Sequence, residues 1–410
     1  MTPVNRRRFL GAATGGVGAL AAGSWPAFGS QGATRGTSDI VVVGAGAFGG
    51  WTALYLREMG HTVTLVDQYG PGNSRATSGG ESRQIRAVYG EREIYTKWVL
   101  QAFERWQARE AEWGKKLFFR TGQLSLATEW THELTETRKV FDRLGVKYDV
   151  VARDDLARQY PQMNTKNIDV AMYTPSTGVL KAREGCVAVA QAFEKKGGRF
   201  VTAKAELGTR TGGRLQDVAL STGQRVSAQT FVFACGPWLP KIFPAVMKNK
   251  LATPRRAVFF YGTPPGDQRF TYPNFPTWSV DNAYGFPCIE GRGFKVVPTF
   301  ERELVDPDTQ EHTLTADELR KGRAFATKWF PALAQQPLVD SRICQREDSV
   351  DEHFIVQPHP ELDNVWVVGG GSGHGYKHGI MLGDYVANRV IGQDKSPELA
   401  ATFALKPATF

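Results

Sequence analysis

Four apolar, β-branched residues, Ile40 to Val43, run without a break into Gly44. An unbroken run of this length bounded by glycine predicts a buried strand. A Gly-Ala-Gly-Ala-Phe-Gly turn follows, Trp51 to Met59 predicts a helix that Gly60 stops, and Thr62 to Val66 predicts a second strand ending at Asp67. From Glu93 to Trp113 the apolar positions Tyr95, Trp98, Val99, Ala102, Phe103 and Trp106 keep helical spacing, so their aromatic stripe is a core face. Leu124 to Ala127 predicts a strand, Thr131 to Leu144 a helix, and Asp154 to Tyr160 a short helix stopped by Pro161. A helix over Arg183 to Lys196, a Gly-Gly stop and a strand follow, then two strands, Val218 to Leu220 and Thr230 to Ala234, around a Thr-Gly turn. Pro254 to Phe300 is aromatic, punctuated by Pro and Gly and without a clear helical period, which predicts a sheet in a separate layer. Leu314 to Phe330 is helical again, Val365 to Val368 is an apolar strand, and a glycine-rich loop leads into a helix from about Gly379 to Val390. The pattern is that of an α/β (α+β) chain with no internal repeat.

Gly44, Gly46 and Gly49 stand where a dinucleotide site needs a tight bend, close approach of backbone to pyrophosphate, and close helix-to-strand packing. A lone GxGxxG is a weak signal. Here a strand precedes it, a helix follows, a second strand returns, and Asp67 ends that strand 21 residues beyond Gly46, placed to accept from an adenosine ribose. The motif does not separate FAD from NAD; the far end of the chain does. After Val368 comes GGGSGHGYKHG, a second glycine-rich loop entering a helix, whose amino end offers unpaired N–H groups and partial positive charge. A flavin's pyrimidine edge becomes anionic on reduction and is stabilised by such an end, so FAD outranks NAD.

At 410 residues, 41% hydrophobic and 22% charged, the chain has an ordinary globular composition, and disordered and collagen-like classes are excluded. The first thirty residues differ. Asn5-Arg6-Arg7-Arg8-Phe9-Leu10 precedes the uncharged stretch Gly11 to Gly23, the layout of a twin-arginine export signal with cleavage expected between Ala27 and Ala33. The uncharged stretch is shorter than the ~20 apolar residues of a spanning helix, and no other segment is long and apolar enough to span. The expected partners therefore include the twin-arginine export machinery, and the expected location is periplasmic or secreted. Without the three arginines of residues 1–30 the net charge falls from +9 to +6. Lys and Arg are scattered rather than banked among aromatics, which argues against nucleic acid.

Cys186, Cys235, Cys288 and Cys344 show no CxxC spacing and no histidines at ligand intervals, so no metal site is expected. Cys235 ends the apolar run Phe231 to Ala234 and is expected to be buried and unpaired. The loop YGPGNSRATSGGESRQIRAVYG is too polar for core and too long for a turn. Arg83 and Arg86 lie three apart in it, so on a helical turn both would present their forks to an anion on one side; two solvated arginines is the plainer reading.

With Gly44 to Asp67, GGESRQIRAVYG, PSTGVLKAREGC, YGFPCIEGRGFK, SRICQREDSVDEHFIV and GSGHGYKHG in this order, the chain resembles the D-amino-acid-oxidase-like flavoproteins, in particular the branch of monomeric sarcosine oxidase and N-methyltryptophan oxidase. The resemblance runs from about Ser38 to the last helix. It implies a Rossmann-like FAD-binding domain (36–93, 165–245 and 335–392) interleaved with a mixed β-sheet substrate domain (94–164 and 246–334), with residues 1–33 as the signal. It implies further that Cys344 carries the flavin through a thioether at the 8α-methyl, and that Arg83 and Arg86 lie next to flavin and substrate. Arg86 and Lys377 would clamp a substrate carboxylate, Tyr284 would form a pocket wall, and Lys295 would activate oxygen. Gly373, His374 and Gly375 fall in the second glycine-rich loop that binds the cofactor. Two positions depart from the sarcosine oxidases: Thr299 replaces a pocket histidine, and Arg346 replaces a tyrosine two residues after the flavin cysteine. Both would lie at the substrate, so sarcosine itself is put in doubt.

Oxidising a C–N bond beside a carboxylate needs a cationic clamp, a dry pocket that keeps the amine neutral, and a hydride acceptor. These residues supply such a set. Arg342 and Arg346 flank Cys344 by two on each side and are expected to favour its thiolate. If Arg346 points into the pocket, it needs an acidic partner, Glu347 or Asp348, or an anionic or polar group on the substrate. His353, His374 and His378 read as structural hydrogen-bonding residues. The sequence thus points to an exported FAD-dependent amine oxidase acting on a secondary or N-alkyl amino acid, with O2 reduced to H2O2. The alternatives are a dehydrogenase passing electrons to a quinone or carrier protein, and a flavin-binding accessory protein without turnover.

Overall fold

The computed structural model describes residues 38–394 and 396–410; the export signal expected over 1–33 lies outside them. Five parallel strands lie in the order Arg199–Thr202, Val63–Asp67, Ser38–Val43, Arg225–Phe233 and Leu362–Gly369, with Ile355–His359 antiparallel beyond the last. The first half of Arg225–Phe233 also forms a hairpin with Asp217–Leu220. Val41, Val42, Leu65, Val66, Phe231, Val232, Phe233 and Val365 are fully buried. Both faces of the sheet are covered, which is why these strands read as unbroken apolar runs rather than alternating ones. The helices Ala47–Glu58, Ala182–Lys195 and Gly375–Val390 lie on one face, and Leu239, Phe243 and Met247 close the other. Because the strands run the same way, Gly44, Asp67, Cys235 and Gly370 emerge at one edge, the edge at which such sheets bind ligands.

A second sheet of eight strands runs in the order Leu338–Gln345, Arg255–Tyr261, Phe294–Val297, Ala283–Phe286, Thr277–Val280, Gln123–Ala127, Val170–Thr174 and Asp149–Val150. Every neighbouring pair is antiparallel except Thr277–Val280 with Gln123–Ala127. Its core is aromatic, centred on Trp278, Phe294 and Phe330, and the rings of Phe294 and Phe330 lie 4.7 Å apart. Val170–Thr174 and Leu338–Gln345, which the sequence reading drew with the nucleotide-binding segments, pair in this sheet. A third sheet of three short strands, Ser82–Ile85, Gly178–Lys181 and Phe118–Arg120, lies apart from both large sheets in its pairing.

The helix Glu93–Trp113 has the bounds its periodicity predicts, and Ala316–Trp329 starts from a capping box between Thr315 and Glu318. Cys344 lies inside the strand Leu338–Gln345, paired with Arg256. Two expectations need correction. Arg83 lies on a strand, not a helical turn, because the ladder to Gly178–Lys181 fixes it there. The last helix begins at Gly375, a turn before Gly379, so Lys377 stands in its first turn. Glycines at its start mimic a loop in sequence, but they serve close packing: a Cβ at Gly379 would meet Ala47 O at 2.6 Å, and one at Gly383 would meet Trp51 Cβ at 2.4 Å. Among the described residues no helix is long and apolar enough to cross a membrane, and no group of three or more His, Cys, Asp or Glu could hold a metal.

Candidate active site

A cleft of about 1170 Å³ runs from the carboxyl edge of the parallel sheet to the second sheet. At its sheet end Gly44 takes φ +106°, and a Cβ there would meet Ala234 O at 2.3 Å. Gly49 faces away from the cleft, tight against Gly44 O; it packs helix on strand, as the motif requires. Gly46 lines the cleft, and nothing stands nearer to its absent side chain than Ser78 Oγ at 3.5 Å. Asp67 also lines the cleft, and its carboxylate accepts from Ala45 N at 2.7 Å, Tyr69 N at 2.9 Å and Gly70 N at 2.8 Å. Burial raises its pKa while those three donors act against the rise. Gly373, His374 and Gly375 line the cleft from the second glycine-rich loop.

These features fit FAD. The amino ends of two long helices open onto one elongated cleft, one with no side chain at Gly46 to exclude a diphosphate, the other at Gly375. Buried polar atoms without partners, Arg86 Nη1 and Glu347 Oε2, belong to residues of its wall.

Arg83 is bonded to Thr77 O at 2.5 Å and Ser82 O at 2.9 Å, with Nη2 3.8 Å from Cys344 Sγ. Arg342 Nε lies 3.3 Å from the same sulfur. Burial opposes the Cys344 thiolate, but Arg83 and Arg342 outweigh it and hold the pKa below the ordinary thiol value. The flanking cations are therefore Arg342 and Arg83, not Arg346. Arg346 lies against Gly373 on the cleft wall and gives both Nε, at 3.0 Å, and Nη2, at 2.8 Å, to Asp348 Oδ1. Its charge thus has an internal partner, and the expectation of an anionic substrate group opposite it loses its ground. Thr299 is exposed and outside the cleft wall. Its hydroxyl donates to Asn282 O and accepts from Arg256 Nη1 at 2.9 Å. Arg256, which sequence reasoning missed, does line the cleft. Its signal was an arginine pair opening the apolar strand RRAVFFY.

Tyr284 lines the cleft beside Cys344. Lys295 is buried but not on the cleft surface: its ammonium donates to Ser82 O at 3.0 Å and Ser82 Oγ at 3.2 Å and sits 4.5 Å from the Phe286 ring centroid. Burial first, then Arg83, holds its pKa well below the usual lysine value.

Arg86 and Lys377 converge on Tyr89. The Arg86 guanidinium lies 4.9 Å from the Tyr89 ring centroid, and Lys377 Nζ donates to Tyr89 Oη at 3.0 Å and His374 O at 3.1 Å. The carboxylate nearest Arg86 is Glu133 at 4.0 Å, beyond hydrogen-bond reach. Burial, then Arg86, depresses the Lys377 pKa strongly. Tyr89 Oη also meets His378 at 2.8 Å and His374 at 3.3 Å, and Tyr95 Oη meets His353 at 2.8 Å, so each of the three histidines is hydrogen-bonded to a tyrosine hydroxyl. Tyr89 was the second residue missed. As the only aromatic in the AVYG that follows Arg86, it offered little to mark it.

The chain matches the family model for DAO, FAD dependent oxidoreductase, over residues 39–389. Monomeric sarcosine oxidase of Bacillus sp. (strain B-0618) is 25% identical over 386 residues, 90% of this chain and 96% of that one. N-methyl-L-tryptophan oxidase of Yersinia pestis is 26% identical over 376 residues, 90% and 98% of the two chains. Among solved structures, glycine oxidase from Geobacillus kaustophilus superposes with a TM-score of 0.77 at 18% identity, covering 91% of this chain and all of that one. A fructosyl peptide oxidase gives 0.79 at 18%, covering 91% and 94%. With the motifs in register, the cleft built for a dinucleotide and the family match over most of its length, the chain belongs to the FAD-dependent oxidoreductases of the DAO family.

Proposed function

We propose that the protein is an amine oxidase of the sarcosine-oxidase type, oxidising the C–N bond of a secondary or N-alkyl amino acid. The observation that carries this reading is the meeting of part-buried Arg86 and buried Lys377 on the cleft wall, with no protein carboxylate in hydrogen-bond reach of either. Two basic groups so placed on a cofactor cleft form an anion site, and an amino-acid carboxylate supplies that charge. FAD, when bound, accepts the hydride from the carbon beside nitrogen. The chain's own residues fix the carboxylate, keep water away with Tyr284 on the cleft wall, and favour the neutral amine by placing cations around it. The substrate loses two electrons and two protons and becomes an imine; O2 receives them as H2O2, and water cleaves the imine to an amine and a carbonyl compound.

In this reading Cys344 would hold the flavin through a thioether at its 8α carbon, with the two electrons and two protons lost in forming that bond passing to oxygen to give H2O2. Arg6-Arg7-Arg8 and the uncharged Gly11 to Gly23 support export by the twin-arginine route; Arg7→Lys with Arg8→Lys should leave the protein in the cytoplasm, and continued export of that variant refutes the signal.

One observation favours a second reading. Lys295 Nζ is committed to Ser82 O and Oγ, and if those bonds keep its ammonium from the flavin, a quinone or carrier protein would be a better acceptor than oxygen. Peroxide formed per substrate oxidised separates the two. A yield near one, unchanged by an artificial acceptor, supports the oxidase; slow turnover in air that an acceptor accelerates manyfold supports the dehydrogenase.

A further inference from the structure

Glu347 has no part in the chemistry above. Its side chain is 5% exposed, yet the residue lines the cleft at the carboxyl edge of the parallel sheet. Oε1 accepts from Gly371 N at 3.2 Å, and Oε2 has no partner. Glycines surround the carboxyl: a Cβ would stand 3.2 Å from Oε1 at Gly371, and 3.3 Å and 3.7 Å from Oε2 at Gly369 and Gly236. Gly236 follows the strand beside Gly44, and Gly371 approaches the Phe48 ring in the first turn of Ala47–Glu58. Glu347 therefore sits at the helix amino end where the diphosphate of a dinucleotide belongs, a place at which a negative carboxylate would repel its ligand.

Its surroundings favour the neutral acid. Burial, reinforced by Asp348, pushes the pKa up to about 8 against the pull of the Gly371 and Gly370 N–H groups. Arg346, the adjacent cation, is engaged by Asp348. The Cys235 thiol is the other titratable neighbour and is itself pushed far up by burial. Phe48, Leu239, Gly369 and Gly371 bring only apolar and backbone atoms from the other elements packed here.

We propose that Glu347 is a cofactor-binding residue that works as the protonated acid, its Oε2–H donating to an oxygen in the diphosphate and ribityl stretch of FAD. The inference rests on the family's cofactor and not on the thioether.

Binding then requires the protonated form, so affinity is full at low pH and falls as pH rises above the free-protein pKa, by about tenfold per unit. In the full chain carrying Cys344→Ala, so that FAD exchanges, the FAD Kd read by flavin fluorescence should be nearly level from pH 6 to 7.5 and stand about thirtyfold above its pH 6 value at pH 9.5. Adding Glu347→Gln, which keeps a donor at every pH, should hold Kd within about threefold of the pH 6 value throughout. Calorimetry of FAD binding at pH 9 in buffers of different ionisation enthalpy should show close to one proton taken up, a result that needs no variant at Glu347. A level curve with Glu347 present, a Gln variant that bends the same way or binds more than tenfold worse at pH 6, or zero proton uptake overturns the proposal alone. Failure to take up FAD at any pH overturns it together with the cofactor.

Discussion

Arg86 and Lys377 reach Tyr89 from different parts of the chain, one following a strand, the other in the first turn of a helix. For Lys377, burial first and then Arg86 favour the neutral form. A bound carboxylate favours the ammonium and raises the pKa in the complex. Carboxylate affinity is therefore complete below the free-protein pKa of Lys377 and declines as pH rises through it towards the pKa of the complex. Lys377→Met should remove that limb of the pH profile. A charged hydrogen bond contributes about 1.5–3 kcal/mol, so KM should rise roughly 10- to 150-fold with a smaller change in kcat. A KM within about threefold of wild type would show that Lys377 holds Tyr89 and does not touch substrate.

At the scale of elements, the strand Leu338–Gln345 decides what Cys344 can do, since it sets the sulfur between Arg342 on the same strand and Arg83 across the cleft. Acid precipitation should leave wild-type protein yellow and Cys344→Ala colourless; release of all flavin from wild type would contradict the attachment. Local signals gave the first strand, turn, helix and strand, and the amphipathic helix Glu93–Trp113, because their periodicity and caps lie within a few residues of each other. Elements made by distant partners were less legible. Arg83 is strand because Leu180 pairs with it, and nothing within GGESRQIR announces that. Gly375 reads as loop in sequence, yet it opens the helix, and the missing side chains of Gly375, Gly379 and Gly383 admit Phe48, Ala47 and Trp51. The two departures at Thr299 and Arg346 were visible as departures, but their directions were not. Thr299 supports Arg256 from outside, and Arg346 finds Asp348 two residues on, where alternation along an extended segment puts both on one side.

Across the whole molecule, five parallel strands deliver two glycine-rich loops and Asp67 to one edge, while the second sheet supplies Tyr284, Cys344 and Arg256 to the same cleft. The central claim is that this cleft oxidises an amine whose carboxylate is held by Arg86 and Lys377. Its most direct measurement is anaerobic mixing of the holoprotein with N-alkyl amino acids and with the same amines lacking the carboxylate, followed at the flavin absorption band. At least one secondary amino acid should bleach the band, and its decarboxylated counterpart should do so at least about tenfold more slowly at equal concentration, the loss of ~1.4 kcal/mol or more of transition-state binding. Equal bleaching by the two, or no bleaching by any amino acid in the panel, would contradict it.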